Sequence, residues 1–330
     1  MHRHRPITTK TARRERGIAI VTVLLVVALA ATLAASVLWR QEVATRDVEN
    51  QRLAAQTMWA ERAAVEWARA ALRAQSATSN VTYIGQSWSA PVGDVQLVNF
   101  LPSGAASVNG ELARAWISGD VEDAQAKFNL MDLVDRPAPG QPYRTNPEGV
   151  LAYRRLLGEL SLDPALAQAT ADRMVSSLSD KRGTDGWPLQ LVSVSDLGRI
   201  PGYDAHVIAA LVPYVTILPD QTMVNANTAA APVLAAAIPT LARTQAQRLI
   251  DRRGTAYFVS TGDIATSLAP VQGNAALPDG SLVGVNSGYF IVHCHIRSPR
   301  INARIDTLIA RYGIGDFAWT QVVWVHRIAS

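Results

Sequence analysis

The residues best suited to chemistry lie around the only cysteine, Cys294, which has a histidine on either side. A thiolate and an imidazole can ligate a metal or form a nucleophile and its base. However, the segment 289–294 reads as a β-strand, and alternate residues of a strand point to opposite faces. His293 and His295 would then share one face and Cys294 the other. We interpret Cys294 as a buried thiol, and a single cysteine excludes an intramolecular disulfide.

The remaining polar residues do not form a catalytic motif. The sequence contains no glycine-rich phosphate loop, no His-Glu-x-x-His pair and no Gly-x-Ser-x-Gly elbow. His206 and His326 are isolated, while Asp120, Glu122 and Asp123 suit a solvated strand end. The sequence therefore favours a protein that is not an enzyme.

The segment from Asp196 to Gly202, followed by 205–211, resembles a helix–hairpin–helix turn, which can hold DNA phosphates through backbone N–H groups. A DNA-binding hairpin would need basic residues, and only Arg199 is close. The negative charges of Asp196 and Asp204 offset that of Arg199 and disfavour DNA phosphate. Packing of two short helices is therefore the favoured interpretation, and we expect no nucleic-acid partner. A membrane-tethered DNA-binding protein is the alternative from another class.

These elements must be positioned by a chain of 330 residues whose net charge of +4 comes from its first residues. The segment from Ile18 to Trp39 is almost continuously apolar and, at about 1.5 Å per residue, spans roughly 33 Å, enough to cross a bilayer. Basic residues precede it, which predicts a cytoplasmic N-terminus with everything after Arg40 across the membrane. These basic residues are Arg3, Arg5, Lys10, Arg13, Arg14 and Arg16.

The helical pattern continues beyond the apolar segment to about Arg73. Apolar residues recur every four positions there, which predicts one apolar stripe on a long amphipathic helix. The stripe consists of Ala55, Trp59, Ala63, Trp67 and Ala71.

The rest of the chain places strands on both sides of a helical region. Candidate strands are 81–84, 94–100, 112–118, 287–297, 302–312 and 319–327, and helices are predicted at 147–161, 164–179, 229–237, 241–253 and 262–268. Thr228 is a candidate N-cap. A faint internal repeat relates 129–133 to 225–229. This order predicts an α/β domain that is split by a helical insertion.

The N-terminus resembles the class III leader of type IV pilins and pseudopilins, since Arg-Arg-Glu-Arg-Gly17 precedes Ile18-Ala19-Ile20-Val21. The resemblance implies that a prepilin peptidase cleaves between Gly17 and Ile18 and that the new N-terminus is methylated. An uncleaved signal anchor is the alternative. Most members carry glutamate at the fifth mature position, where this chain has Thr22. In the family that glutamate is thought to pair with the subunit ahead, so Thr22 points to a subunit at the filament tip.

Three later motifs narrow the resemblance to the K-type minor pseudopilins of the type II secretion system, the general secretion pathway protein K family. They are Ala124-Gln125-Ala126-Lys127-Phe128-Asn129-Leu130, Leu197-Gly198-Arg199-Ile200-Pro201-Gly202 and Val224-Asn225-Ala226-Asn227-Thr228-Ala229. The resemblance implies a non-enzymatic subunit that caps the periplasmic pseudopilus, helps to initiate its assembly and partners the I- and J-type pseudopilins and the inner-membrane secretion platform. A minor pilin of a type IV pilus is the alternative.

The expected fold is α+β: a pilin-like long N-terminal helix packed on a small antiparallel sheet, with a large all-α domain inserted between the strands. The expected segments are a leader at 1–17, a transmembrane helix at 18–40, a head at 41–120 and 281–330, and an insertion at 121–280 with halves at about 121–218 and 219–280. We expect a single-pass inner-membrane protein whose C-terminal domain is periplasmic. Its helix would meet neighbouring subunits through Ala55, Trp59, Ala63 and Trp67.

Some members of the family bind calcium through an acidic loop between helices. The corresponding segment, 179–187, offers two carboxylates, separated by a lysine and an arginine that would repel a divalent cation. Calcium requires about six to eight oxygen ligands. We therefore expect this loop to be solvated and the protein to need no cofactor.

Overall fold

The computed structural model describes residues 12–96, 114–179, 188–268, 276–300 and 302–328. It forms two compact units, Met1–Ala60 and Glu61–Ser330. The first unit contains most of helix α1 (Ala12–Thr78), whose described apolar side chains from Ile20 to Trp39 are all exposed. Among the described helices, one is long and apolar enough to cross a membrane, with a mean hydropathy of 2.6 in its most apolar part.

Hydroxyl groups in this apolar segment are satisfied by the helix itself. Thr32 Oγ1 donates to the carbonyl of Leu29 at 2.9 Å, and Ser36 Oγ donates to the carbonyl of Leu33 at 2.8 Å. A polar group without a partner is costly in hydrocarbon. These hydroxyls therefore do not disqualify the segment from a bilayer.

The second unit begins with the end of α1 and then alternates short strands and helices. In chain order these are β1 (Val92–Gln96), β2 (Trp116–Asp123), β3 (Phe128–Asn129), β4 (Val134–Asp135), β5 (Arg144–Thr145), α2 (Pro147–Glu159), α3 (Leu166–Leu178), α4 (Ala205–Leu211), β6 (Val215–Thr216), β7 (Val224–Asn225), α5 (Ala231–Ala237), α6 (Arg243–Thr255), α7 (Thr261–Leu268), β8 (Val283–Gly284), β9 (Tyr289–Arg297), β10 (Asn302–Tyr312) and β11 (Trp319–Ile328).

The main sheet has the order β1-β2-β9-β10-β11, and every neighbouring pair is antiparallel. Strands β2 and β9 are neighbours, yet the whole helical region lies between them in the chain. We call residues 124–288 the insertion, and the sheet with helix residues 61–78 the head. The predicted α+β fold, a long helix on a small antiparallel sheet with a helical insertion, is confirmed.

Helix α1 packs on one face of this sheet through residues spaced three and four apart. Val65, Ala68 and Leu72 are buried against a cluster that includes Trp88, Phe290, Val292 and Ile309. Such spacing places residues on one side of a helix. The opposite face of the sheet meets the insertion through Tyr289, Leu308 and Ala310, which pack on Leu218.

The insertion has its own large apolar core, and its two halves follow the same plan. Each half opens with a two-residue strand that pairs in parallel with a strand closing the half, β3 with β6 and β7 with β8. Asn129 Oδ1 accepts from the backbone of Met131 at 3.1 Å, as Asn225 Oδ1 accepts from Asn227 at 3.0 Å. These short pairs mean that the insertion is not purely helical.

Several element boundaries differ from the sequence predictions. The apolar segment 81–84 is not a strand, because Thr82 makes its backbone hydrogen bond to Val285 outside the sheet. Thr228 is not an N-cap, since α5 begins after Ala230. The strand predicted at 112–118 begins at Trp116 and runs on to Asp123, and part of the strand predicted at 94–100 lies outside the described residues.

Candidate functional site

The chain enters the insertion at Asp123, and the predicted solvent exposure of this carboxylate is wrong. Asp123 is 3% exposed and accepts four hydrogen bonds. The Gln125 N–H donates to Oδ1 at 2.9 Å, while Asn225 Nδ2, Thr228 Oγ1 and Ser287 Oγ donate to Oδ2 at 2.9, 2.6 and 2.7 Å. The strand end is buried because three segments converge on it. Burial raises the pKa of Asp123, and these hydrogen bonds oppose that rise.

Arg311 extends this network to the end of helix α1. Its guanidinium donates to Thr82 Oγ1 at 2.9 Å, to the Ser287 carbonyl at 2.6 Å and to the Gln75 side chain, and lies over the Phe290 ring. Burial lowers the pKa of Arg311 to about 10, whereas the nearby negative charge of Asp123 acts to raise it. We call the set Asp123, Gln125, Asn225, Thr228, Ser287, Thr82 and Arg311 the junction.

Two further contacts cross between the insertion and the rest of the unit. The Tyr289 hydroxyl on β9 donates to Asp220 Oδ2 at 2.7 Å, and burial raises the pKa of Tyr289. The ring of Tyr83, in the segment after α1, stacks on Tyr257 with centroids 3.8 Å apart. The insertion is therefore fixed to the head and to the segment after α1 by polar and aromatic contacts.

The junction marks one end of the head. Asp123 pairs with Phe290 at that end of the sheet, and Gln75 near the C-terminus of α1 reaches Arg311. At the other end, Arg327 near the end of β11 forms an ion pair with Glu61 at 2.8 Å. The insertion thus lies at the end of the head where α1 finishes.

The predicted interface residues of α1 lie on its exposed side. Ala55 and Trp59 belong to the first unit and Ala63 and Trp67 to the second, and Trp59 and Trp67 are 67% and 49% exposed. Ala71 is half-buried. Their role in subunit contacts stays a prediction, as do the cleavage positions Gly17 and Ile18 and the tip position Thr22, all three within α1.

The histidines near Cys294 are separated from it as predicted. Cys294 is buried on the helix side of β9, and burial raises its pKa to about 12. On the other side, His293 Nδ1 lies 2.7 Å from Asp306 and Nε2 lies 3.1 Å from Glu122. No group of three or more metal-ligating side chains occurs among the described residues. Most of the predicted solvated loop, 180–187, lies outside them.

We expect the His293 imidazole to titrate well above its ordinary range, because Glu122 and Asp306 favour its charged form and raise its pKa to about 9. Its stabilising pairing is complete below the unfolded pKa of about 6.5 and is lost as the pH rises through about 9. A titration of the imidazole by NMR measures this pKa. Asp306→Asn should lower it, whereas His295→Gln should leave it unchanged.

The helix–hairpin–helix turn is already occupied by its own side chains. The Asp204 carboxylate accepts from the Val207 N–H at 2.8 Å, so it takes the position where a DNA-binding hairpin would hold phosphate. Arg199, the basic residue nearest the turn, pairs with Asp196 at 2.9 Å. Leu197 and Ile200 are buried in the insertion core. This arrangement fits helix packing rather than phosphate binding.

The fold defines a pilin-like protein. It has a long helix packed on an antiparallel sheet, and a helical insertion separates two of the neighbouring strands in the chain. Two family models described as type II secretion system protein K match residues 126–220 and 224–285. Protein K of Klebsiella pneumoniae is 31% identical over 275 residues, covering 75% of this chain and 78% of the relative. Protein K of Pseudomonas aeruginosa is 28% identical over 297 residues, with 82% of both chains covered.

The fold is shared with a solved structure at a TM-score of 0.62 and 20% identity, covering 85% of this chain and 99% of that one. That structure is the GspK-GspI-GspJ complex from the type 2 secretion system of enterotoxigenic Escherichia coli. The chain belongs to the type II secretion system protein K family, the K-type minor pseudopilins. The type IV minor pilin and the DNA-binding protein are not favoured.

Proposed function

We propose that this subunit caps the tip of the periplasmic pseudopilus and helps to initiate its assembly, without enzymatic activity. The observation that carries the proposal is the position of the insertion, which is fixed at the end of the head where α1 finishes. A subunit stacked beyond that end would meet the insertion. Such a head suits the last position in a filament and is unsuitable for the middle.

The proposed tip position also accounts for Thr22. A carboxylate within a bilayer is costly unless it is paired. A tip subunit has no subunit ahead to supply that partner, whereas a hydroxyl can bond to its own helix, as Thr32 does. Residues 18–40 would anchor the subunit in the inner membrane after prepilin peptidase cleaves between Gly17 and Ile18, with the C-terminal domain in the periplasm.

The proposed partners are the I- and J-type minor pseudopilins, since the similar solved structure is a GspK-GspI-GspJ complex from Escherichia coli. We propose that α1 meets them through its exposed stripe. Large exposed aromatic side chains are typical anchors of protein interfaces. Contact with the inner-membrane secretion platform would follow from the shared membrane. The segments proposed from the sequence are a pilin-like part at 41–120 and 281–330 and a helical domain at 121–280; because β2 ends at Asp123, the insertion as defined above begins at 124.

Replacing both Trp59 and Trp67 by alanine should reduce recovery of the complex with I- and J-type subunits at least about tenfold, since interface anchors contribute about 2 kcal/mol or more. The measurement is co-purification of the tagged full chain with both partners from detergent-solubilised membranes. Trp116→Ala, which removes an exposed tryptophan from β2, is the matched control. Equal recovery from the double variant would contradict this role of the stripe, and no complex with the unaltered chain would contradict the tip assignment.

A further inference from the structure

Exposed arginines gather at the end of the sheet opposite the junction. Arg114 precedes β2, Arg297 ends β9, Arg300 lies in the turn after it and Arg304 is near the start of β10, and all four are exposed. Asp94 is the acidic residue that pairs with Arg297 there. We call this surface, together with Trp116, the basic end.

The basic end contains an open depression rather than a flat surface. Its volume is about 480 Å³, and it is lined by Asp94, Arg114, Trp116, Arg297, Ser298 and Pro299. Trp116 is 41% exposed at its edge. Guanidinium groups around a concave surface suit a phosphate, and an exposed indole suits the boundary between water and acyl chains.

The position of the basic end within the head suggests which kind of phosphate-bearing molecule it would bind. Arg327 and its partner Glu61 lie at the same end of the sheet as Arg297 and Asn302. The chain before Glu61 leads through residues 41–60 to the apolar segment that we propose as the membrane anchor. The basic end is therefore at the end of the head where the chain enters from the proposed anchor.

We propose that the basic end docks on the anionic phospholipid surface of the membrane while the subunit is still unassembled; this rests on the proposed membrane anchor. The charges are complementary, because clustered arginines are attracted to the anionic headgroups of a membrane surface. Docking would hold the head beside the bilayer, from which assembly would release it.

The test uses the full chain reconstituted into vesicles of phosphatidylcholine alone or with about 30% phosphatidylglycerol, the anionic component that attracts basic clusters. A fluorescent donor is attached at Ser298→Cys, and an acceptor is carried by lipid headgroups. The native Cys294 thiol is buried, and a donor at Thr244→Cys on α6 serves as the distant control. Arg114→Gln with Arg304→Gln removes charge from the basic end, and Arg243→Gln with Arg248→Gln removes equal charge from α6.

We expect energy transfer from position 298 to be about twofold higher in the anionic vesicles, and the excess to vanish in the Arg114/Arg304 variant but not in the α6 variant. The excess should also fall as salt shortens the screening length from about 8 to about 3 Å. Equal transfer in both lipids, or an excess that survives the Arg114/Arg304 change, overturns the docking. A chain that fails to float with vesicles of either composition overturns the proposed anchor itself, and the docking with it.

Discussion

Asp123→Ala is expected to destabilise the second unit by about 3–5 kcal/mol, because it removes a buried carboxylate and leaves four donors without an acceptor. The donors come from the first residues of the insertion, from its second half and from the segment before β9. The loss of these hydrogen bonds should therefore destabilise both the head and the insertion. Arg311 would also lose the nearby opposite charge that favours its guanidinium.

Denaturant unfolding of the full chain in detergent measures this effect. Asp120→Ala is the matched control, since it removes an exposed carboxylate from the same strand and should change stability by less than about 0.5 kcal/mol. Thr228→Val removes a single donor and should fall between them, at about 1 kcal/mol. If Asp123→Ala unfolded at the same denaturant concentration as Asp120→Ala, the junction would not hold the insertion in place.

The stability of the insertion should fall as the pH rises from about 4 to about 7, because Asp132 is buried with one oxygen unsatisfied. Oδ1 accepts from the Thr222 N–H at 2.8 Å, while Oδ2 has no hydrogen-bond partner among the described residues. Burial raises the pKa of Asp132 to about 7. A group whose folded pKa is raised stabilises fully below its unfolded pKa, and this contribution is lost as the pH rises to the folded value. A difference of about three pKa units corresponds to about 4 kcal/mol.

Unfolding of the full chain at several pH values between 4 and 8 tests this expectation. Asp132→Asn keeps an oxygen for the Thr222 N–H and cannot ionise, so it should flatten the curve and be the more stable form at pH 8. Asp172→Asn, at an exposed carboxylate of α3, should follow the unaltered chain. Parallel curves for Asp132→Asn and the unaltered chain would show that Asp132 does not titrate in this range.

Local patterns predicted the long elements well. The predicted strand 302–312 has the observed bounds, and the predicted bounds of α2 and α3 lie within three residues of the observed ones. These predictions succeed because alternation and helical spacing reflect burial of one face. The same patterns failed at 81–84, where Thr82 is buried and bonds to Val285 of the insertion, while Ile84 is 64% exposed. A strand and an extended connection carry the same local signal.

The sequence does not predict the junction, although two of its residues lie in a motif that the sequence analysis describes. Asn225 and Thr228 belong to one of the three family motifs, but the local pattern around Thr228 predicts a helix cap. Its hydroxyl instead reaches Asp123, 105 positions earlier. Local interpretation of Asp123 as solvated failed for the same reason, because the packing of distant segments decides whether a strand end meets water.

The neighbouring positions of β2 and β9 have a consequence for the order of folding. Asp123 and Ser287 are 164 positions apart but hydrogen-bonded, and closing a flexible loop of that length costs about 4–5 kcal/mol of chain entropy. An insertion that had already collapsed around its own core would bring its two ends together and remove most of that cost. Nucleation should therefore begin in the helices of the insertion, and β9 should join β2 late. Truncations within 124–288 would then slow closure of the main sheet even though they leave all five of its strands intact.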